Sequence, residues 1–334
     1  MSSPPDPFHP PAIEVDGLVK TYGEVAAVRG VSFSVARGEV FGFLGPNGAG
    51  KSTTINMLCT LARPTSGTAR VDGFDVVRER DDVRRHIGLV FQDPTLDGQL
   101  TATQNLRLHA ELYDIDPGVI PARMDQMLAM VDLSDRRDQP VMTFSGGMKR
   151  RLEIARGLMH SPRVLFLDEP TIGLDPQTRS AIWRYIRALQ EREGTTIFMT
   201  THYMDEAEFC DRIAIMDRGE IVALDTPEAL KASVGADRVV VGTEDDDAAL
   251  AALRDRFGIE ATIAEGAVTF HVENGQAFVP RLFVELGVGI TSVAVSRPTL
   301  DDVFMRFTGT TIRDAESTPG GERTPMQVFS KAGR

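Results

Sequence analysis

The chain has 334 residues, 42% of them hydrophobic, which allows two domains with real cores. Its formal net charge of −12 excludes a broad nucleic-acid surface, because neutralising phosphates requires clustered Lys and Arg. No apolar run approaches the roughly 18 residues needed to span a bilayer, and the two cysteines, Cys59 and Cys210, sit in apolar or helical surroundings expected of reduced packing residues in a cytoplasmic protein.

In chain order, the opening residues MSSPPDPFHPP carry neither a basic segment nor an apolar stretch of signal-peptide kind, and residues 1–11 read as a short disordered lead. EVFGFL, from Glu39 to Leu44, is an apolar, aromatic run of strand character. GPNGAGKSTT follows, matching G-x-x-x-x-G-K-[ST] with Gly45, Gly50, Lys51 and Ser52 at the required offsets. Glycines let backbone N–H groups turn towards a phosphate, an ammonium reaches the outer phosphates, and a hydroxyl is a hard ligand for Mg²⁺. Next, STTINMLCTL places Ile55, Leu58 and Leu61 at helical spacing, so the loop is expected at a helix N-terminus, where the dipole favours an anion. A plain strand-to-helix turn is the competing reading of these residues.

IGLVFQD, from Ile87 to Asp93, is another strand, and it delivers Gln92, whose amide oxygen suits Mg²⁺ or an attacking water. Residues 93–141 change texture: QNLRLHAELYDI and ARMDQMLAMVDL have helical period, separated by Pro117 and Pro121, as an inserted helical subdomain would. TFSGGMKRRLEIARGL then sets Ser145, Gly146 and Gly147 before a basic amphipathic helix, a second possible anion site or simply a Ser cap with flexible glycines. In VLFLDEPTIGLDP four apolar residues run into Asp168 and Glu169, which describes a buried strand delivering two carboxylates to the ligand-binding edge of an open α/β sheet. Asp168 suits Mg²⁺ and Glu169 a general base, although the pair also suits the start of the next helix. TTIFMTTH brings His202 to the end of a further strand, where it could bond a terminal phosphate or serve as a structural residue.

Beyond Asp225 the order strand, helix, strand, strand, helix, strand appears, carried by RVVVGT, DDAALAALRDRFG, EATIAE, AVTFHV, GQAFVPRLFVELG and ITSVAVS. This βαββαβ order is ferredoxin-like and sets a small α+β domain, with the acidic cluster Glu244 to Asp247 capping its first helix. TLDDVFMRFTG adds a last helix, with Thr299 at its start and Gly309 at its end. The organisation expected is thus a lead (1–11), a first domain (12–232), an accessory domain (236–309) and a flexible tail (310–334).

The ordered set of motifs resembles the ATP-binding subunits of ABC transporters. Gly45, Pro46, Asn47, Gly48, Ala49, Gly50, Lys51, Ser52 and Thr53 look like the Walker A loop, Gln92 the Q-loop, Phe144 to Met148 the signature motif, Val164 to Glu169 Walker B, Gly173 to Pro176 the D-loop, and His202 the H-loop histidine. The resemblance covers residues 12–230 and implies an α/β fold, a P-loop NTPase nucleotide-binding domain with the helical subdomain inserted. FSGGMKRRLEIARGL and SRPTLDDVFMRFTG are similar to the daunorubicin/doxorubicin-resistance type within that family.

What the resemblance implies is specific. ATP and Mg²⁺ are the cofactors: Tyr22 stacks on adenine, Lys51 and the loop cradle the phosphates, Ser52, Gln92 and Asp168 serve the Mg²⁺, Glu169 orients water, and His202 contacts the γ-phosphate. Ser145, Gly146 and Gly147 complete the site of a second copy in a nucleotide-sandwich dimer, and Asp175 crosses between copies. An integral-membrane permease, a separate chain, docks on the helical subdomain and holds the subunit at the cytoplasmic face of the membrane. No nucleic acid is implied. Two departures stand out: Met148 replaces the usual Gln of the signature, and Gln104 stands where many relatives carry Glu. The function implied is an ATPase subunit powering export of drug-like or other hydrophobic compounds. A non-transport ABC-type ATPase, or a nucleotide-dependent protein that sequesters a ligand, is the alternative.

Overall fold

A computed structural model describes residues 10–264 and 266–309. The tail at 310–334 and most of the lead lie outside the described residues. Residues up to Leu224 form one compact unit and those from Asp225 onward a second.

In the first unit, β1 (Ile13–Tyr22), β2 (Val25–Val35), β4 (Ser66–Val71) and β5 (Phe74–Asp75) make an antiparallel sheet in the order β2-β1-β4-β5. The larger sheet has the order β10-β9-β3-β8-β7-β6, from β3 (Val40–Leu44), β6 (Ile87–Val90), β7 (Val164–Asp168), β8 (Thr196–Thr201), β9 (Arg212–Asp217) and β10 (Glu220–Asp225). Its pairings from β9 through β6 are parallel. Strands covered on both faces need apolar residues throughout, and VFGFL of β3 is buried at every position. The sheets meet through aromatic rings: Phe33 of β2 lies 5.5 Å from Phe41 and 5.0 Å from Phe43, and Phe198 of β8 sits 4.9 Å from Phe43.

Helices fill the connections: α1 (Lys51–Leu58), α2 (Arg80–His86), α3 (Ala102–Leu112), α4 (Ile120–Met130), α5 (Gly146–Gly157), α6 (Pro176–Glu193) and α7 (Met204–Ala207). Two expectations are corrected. Leu61 does not continue the apolar stripe of α1, which stops at Leu58, where Thr60 turns to φ +64° and leaves Leu61 exposed. Pro121 does not separate the helical segments but lies in the first turn of α4, where its missing N–H costs nothing. Gln104 completes a capping box at the start of α3, its carbonyl accepting from the Thr101 N–H at 2.8 Å. In α6, Trp183 is buried and stacks on Phe209 at 5.4 Å. Cys59 and Cys210 are free thiols in the core.

The second unit begins with α8 (Pro227–Val234), which starts within the residues 12–232 expected for the first domain. It belongs here because it packs on the last helix, α11 (Leu300–Thr308), whose Arg306 donates to the carbonyls of Ser233 and Val234 at 3.0 and 2.7 Å. Between them run β11 (Asp237–Thr243), α9 (Asp246–Phe257), β12 (Ala261–Ala264), β13 (Ala267–Val272), α10 (Gly275–Glu285) and β14 (Ile290–Ser296). The strands form an antiparallel sheet in the order β12-β13-β11-β14 over a core that includes Val239, Leu253, Phe270 and Leu282. This is the ferredoxin-like arrangement of βαββαβ. Asp245 caps α9, and Thr299 caps α11 with Gly309 at its C-terminal end.

Candidate functional site

The site grows from the C-terminal edge of the parallel sheet. After Leu44 the chain turns through Gly45 to Gly50, and two glycines there are fixed by close backbone approach. A Cβ on Gly45 would lie 2.2 Å from the Met216 carbonyl oxygen, and one on Gly50, at φ +105°, would lie 2.5 Å from that of Ala27. The loop delivers the first turn of α1, and Gly50, Lys51, Ser52 and Thr53 of that helix start line a cleft, where the unpaired amides of a helix N-terminus favour an anion.

Lys51 is buried, and its Nζ donates to the carbonyls of Gly45 and Pro46 at 2.7 and 3.1 Å. It also lies 3.6 Å from Glu169 Oε1. Ser52 Oγ donates to Asp168 Oδ1 at 3.1 Å, so a hydroxyl and a carboxylate, both hard oxygen donors, stand side by side. Thr200 Oγ1 donates to the same Asp168 oxygen and accepts from the Glu169 N–H at 3.0 Å, thereby setting both acidic residues from the neighbouring strand. Glu169 adopts φ +45°, a left-handed backbone that costs a non-glycine residue energy unless its surroundings impose it.

His202 Nδ1 is 3.4 Å from Glu169 Oε1, in electrostatic contact without hydrogen-bond alignment. Burial pushes the Glu169 carboxyl up, but His202 and the Lys51 ammonium outweigh it and hold the group below its ordinary value. Glu169 is therefore a carboxylate at neutral pH. Its Oε2 is buried with no hydrogen-bond partner among the described residues.

A cleft of about 500 Å³ joins Tyr22, Asn47, Gly48, Gly50, Lys51, Ser52, Thr53, Gln92 and Glu169. Tyr22 ends β1 with its ring half exposed and the Lys20 ammonium 4.7 Å from the ring centroid, so one edge of the cleft is an aromatic platform. Gln92 is exposed, two residues beyond β6. Ser145, Gly146, Gly147 and Asp175 do not line this cleft. Ser145 caps α5, accepting from the Met148 N–H, and Asp175 caps α6, accepting from the Thr178 N–H. Gly147 answers to packing: a Cβ there would lie 2.3 Å from Thr178 Cγ2, whereas one on Gly146 would make only an ordinary contact with Leu174.

Three residues near the site escaped the sequence reading. Thr200 is one polar residue of a buried strand, and nothing in TTIFMTTH distinguishes its role. Arg150 is buried one turn into α5, and Glu206 in α7 is buried four residues after His202. Glu206 Oε2 accepts from Thr201 Oγ1 at 2.6 Å, and burial raises its carboxyl to about 7 against the lowering pull of that bond, Arg179 and His202. A Glu four residues after His202 was the available signal.

Residues 28–172 match the family model described as ABC transporter, and residues 226–308 match that of the ATP-binding protein DrrA1-3-like C-terminal domain. The daunorubicin resistance ATP-binding protein DrrA3 of Streptomyces coeruleorubidus is 43% identical over 89% of this chain and 96% of its own. The chain belongs to the ABC transporter family. The linearmycin resistance ATP-binding protein LnrL of Bacillus subtilis is 38% identical over 90% of this chain and 100% of its own. Among solved structures, an ATP-binding cassette in a dimeric post-hydrolysis state bound to ADP and Pi superposes with a TM-score of 0.58 at 30% identity, covering 64% of this chain and 98% of that one. This ABC subunit is an ATPase of the P-loop class, and among its described residues no helix is long and apolar enough to cross a membrane.

Proposed function

We propose that this chain powers an exporter of antibiotic-like or other hydrophobic compounds, acting at the cytoplasmic face of the membrane through a separate permease, and that Glu169 is the general base of its ATP hydrolysis. The observation that carries the catalytic reading is the buried, unpartnered Oε2 of a carboxylate whose other oxygen faces Lys51 and His202. A charged oxygen with free lone pairs in that position is suited to accept a proton from, or orient, an attacking water.

The other residues divide the remaining work. Tyr22 offers a face for adenine, and the Gly45 to Thr53 loop offers backbone N–H groups to the phosphates. Lys51 neutralises charge on the outer phosphates, and His202 bonds the terminal one. Ser52 and Asp168, with Gln92 at the cleft edge, fit Mg²⁺ as a hard-oxygen set, and the ion when bound would neutralise charge on the phosphates. Among described residues no cluster of three or more His, Cys, Asp or Glu offers a separate metal site.

A role for Ser145, Gly146 and Gly147 in the site of a second copy is supported by their standing outside their own chain's cleft, with Ser145 and Gly146 exposed. The dimeric state of the solved cassette supports a nucleotide sandwich. Export of antibiotic-like compounds is supported by the resistance functions named for the two relatives. Docking of a permease on the helical insert is supported by Leu108, Leu112 and Val119, which leave apolar side chains in solvent there.

The test is ATP hydrolysis by the purified chain and its Glu169→Gln variant, with the size of each measured in ATP and Mg²⁺. The expected result is hydrolysis by the wild type, and in the variant a loss of at least about 100-fold with accumulation of an ATP-bound dimer. A variant that hydrolyses at the wild-type rate would refute the assignment of the base.

A further inference from the structure

Arg150 makes contacts out of proportion to its place in the sequence. The residue is 6% exposed, and its guanidinium donates to three backbone carbonyls from two separate segments. Nε reaches Pro170 O at 2.6 Å, Nη2 reaches Asp168 O at 3.1 Å, and Nη1 reaches Phe91 O at 2.5 Å. The first two carbonyls flank Glu169, and the third immediately precedes Gln92. Nη1 also bonds Glu153 Oε2 at 3.2 Å. From the next turns of α5, Glu153 Oε1 accepts from the Thr95 N–H at 2.7 Å, and Arg156 donates to Thr95 O at 2.9 Å. The segment carrying Gln92 is thus gripped by one helix on both sides, at Phe91 and at Thr95.

A planar fork with five donors is the side chain able to hold three carbonyls at fixed angles, and being charged at any working pH it holds them constantly. Burying an ion pair is a poor way to gain stability, since desolvation offsets the attraction. Its use here is geometric. Glu169 keeps an unfavourable left-handed backbone; Thr200 from β8 and Arg150 from α5 hold the peptide before it, and Arg150 also holds the Pro170 carbonyl that follows.

We propose that Arg150 is a positioning residue for ATP hydrolysis: from the helix that begins at Ser145-Gly146-Gly147, it brackets the peptides around Glu169 and the one before Gln92, so that α5 sets these two side chains relative to each other. A shift of α5 moves the carboxylate and the glutamine together. The inference rests on the reading of Glu169 as general base.

The experiment measures steady-state ATPase of the purified full chain for wild type, Arg150→Ala, Arg150→Lys and Glu169→Gln, each checked for folding by thermal denaturation. Misplacement of a catalytic group by about 1 Å costs up to about 100-fold, so kcat is expected to fall about 10- to 100-fold in Arg150→Ala. KM for ATP should stay within about threefold, because the phosphate loop and Tyr22 are untouched. Arg150→Lys keeps the charge and reaches at most part of the carbonyl set, so it should be slow too, and it serves if the alanine variant does not fold. A wild-type kcat in the folded lysine variant, or a loss residing in KM, overturns the bracket. If Glu169→Gln hydrolyses normally, the base assignment fails; if it is inactive while Arg150→Lys is fast, the bracket alone fails.

Discussion

Glu206 offers a prediction in which sign and size both follow from the structure. Its side chain is 1% exposed, Oε2 bonds Thr201 Oγ1, and Oε1 is buried without a hydrogen-bond partner, with Arg179 Nε 3.9 Å away. Burial disfavours the charged form and lifts the carboxyl from 4.5 to about 7. Between those values the folded protein holds a proton that the unfolded chain has released, so stability falls as pH rises through this window. At about 1.4 kcal/mol for each unit of pH, the full displacement amounts to about 3 kcal/mol, present below pH 4.5 and lost above pH 7. Glu206→Gln is neutral throughout and keeps an acceptor for Thr201. The assay is the thermal midpoint of wild type and variant from pH 5 to 8. With about 2–4 °C per kcal/mol for a unit of this size, the variant should gain about 5–10 °C on the wild type across that range. Glu169 does not confuse the comparison, because its carboxyl lies below the ordinary value and any stability it contributes is lost only as pH falls further. A difference between the two proteins that stays flat with pH, or grows towards low pH, would refute the reasoning.

Gly147→Ala should destabilise the chain by about 1–2 kcal/mol in urea unfolding, because the new Cβ meets the β-branched Thr178 at 2.3 Å. Adding Thr178→Ser, which removes the offending methyl and keeps the hydroxyl bond to Asp175, should restore or exceed wild-type stability, since Ala is the better helix residue by about 1 kcal/mol. Asp175→Asn retains a cap for α6, so the thermal midpoint should not move; a fall in ATPase rate at constant stability would then report a role for this side chain beyond its own chain, and an unchanged rate would remove that role.

How far the sequence reveals the molecule depends on which forces make each part. The buried parallel strands are legible because a strand covered on both faces must be apolar at every position, as VFGFL and VLFL are. The βαββαβ unit is legible because its caps and alternating strands are local. The antiparallel sheet is harder to see: SGTARV of β4 buries only Ala69 and Val71, and β5 is two residues long. The boundary at Leu224 escaped because it depends on α8 packing against α11, more than sixty residues later. In the site, residues whose chemistry is carried by type at fixed spacing are visible in the chain. Arg150 and Thr200 are not, since they act largely through backbone groups, which are the same whatever sequence supplies them.

Trp183 is the single tryptophan of the chain, buried in α6 against Phe209. Indole emission from this protein therefore originates wholly in the nucleotide-binding unit. It reports on the junction of α6 and α7, the elements that follow Asp175 and His202, while the ferredoxin-like unit stays dark to it. Loss of phenylalanine packing in the second unit would pass unnoticed in such a signal, so a fluorescence melt and a far-ultraviolet dichroism melt that fail to coincide would reveal two units that unfold separately.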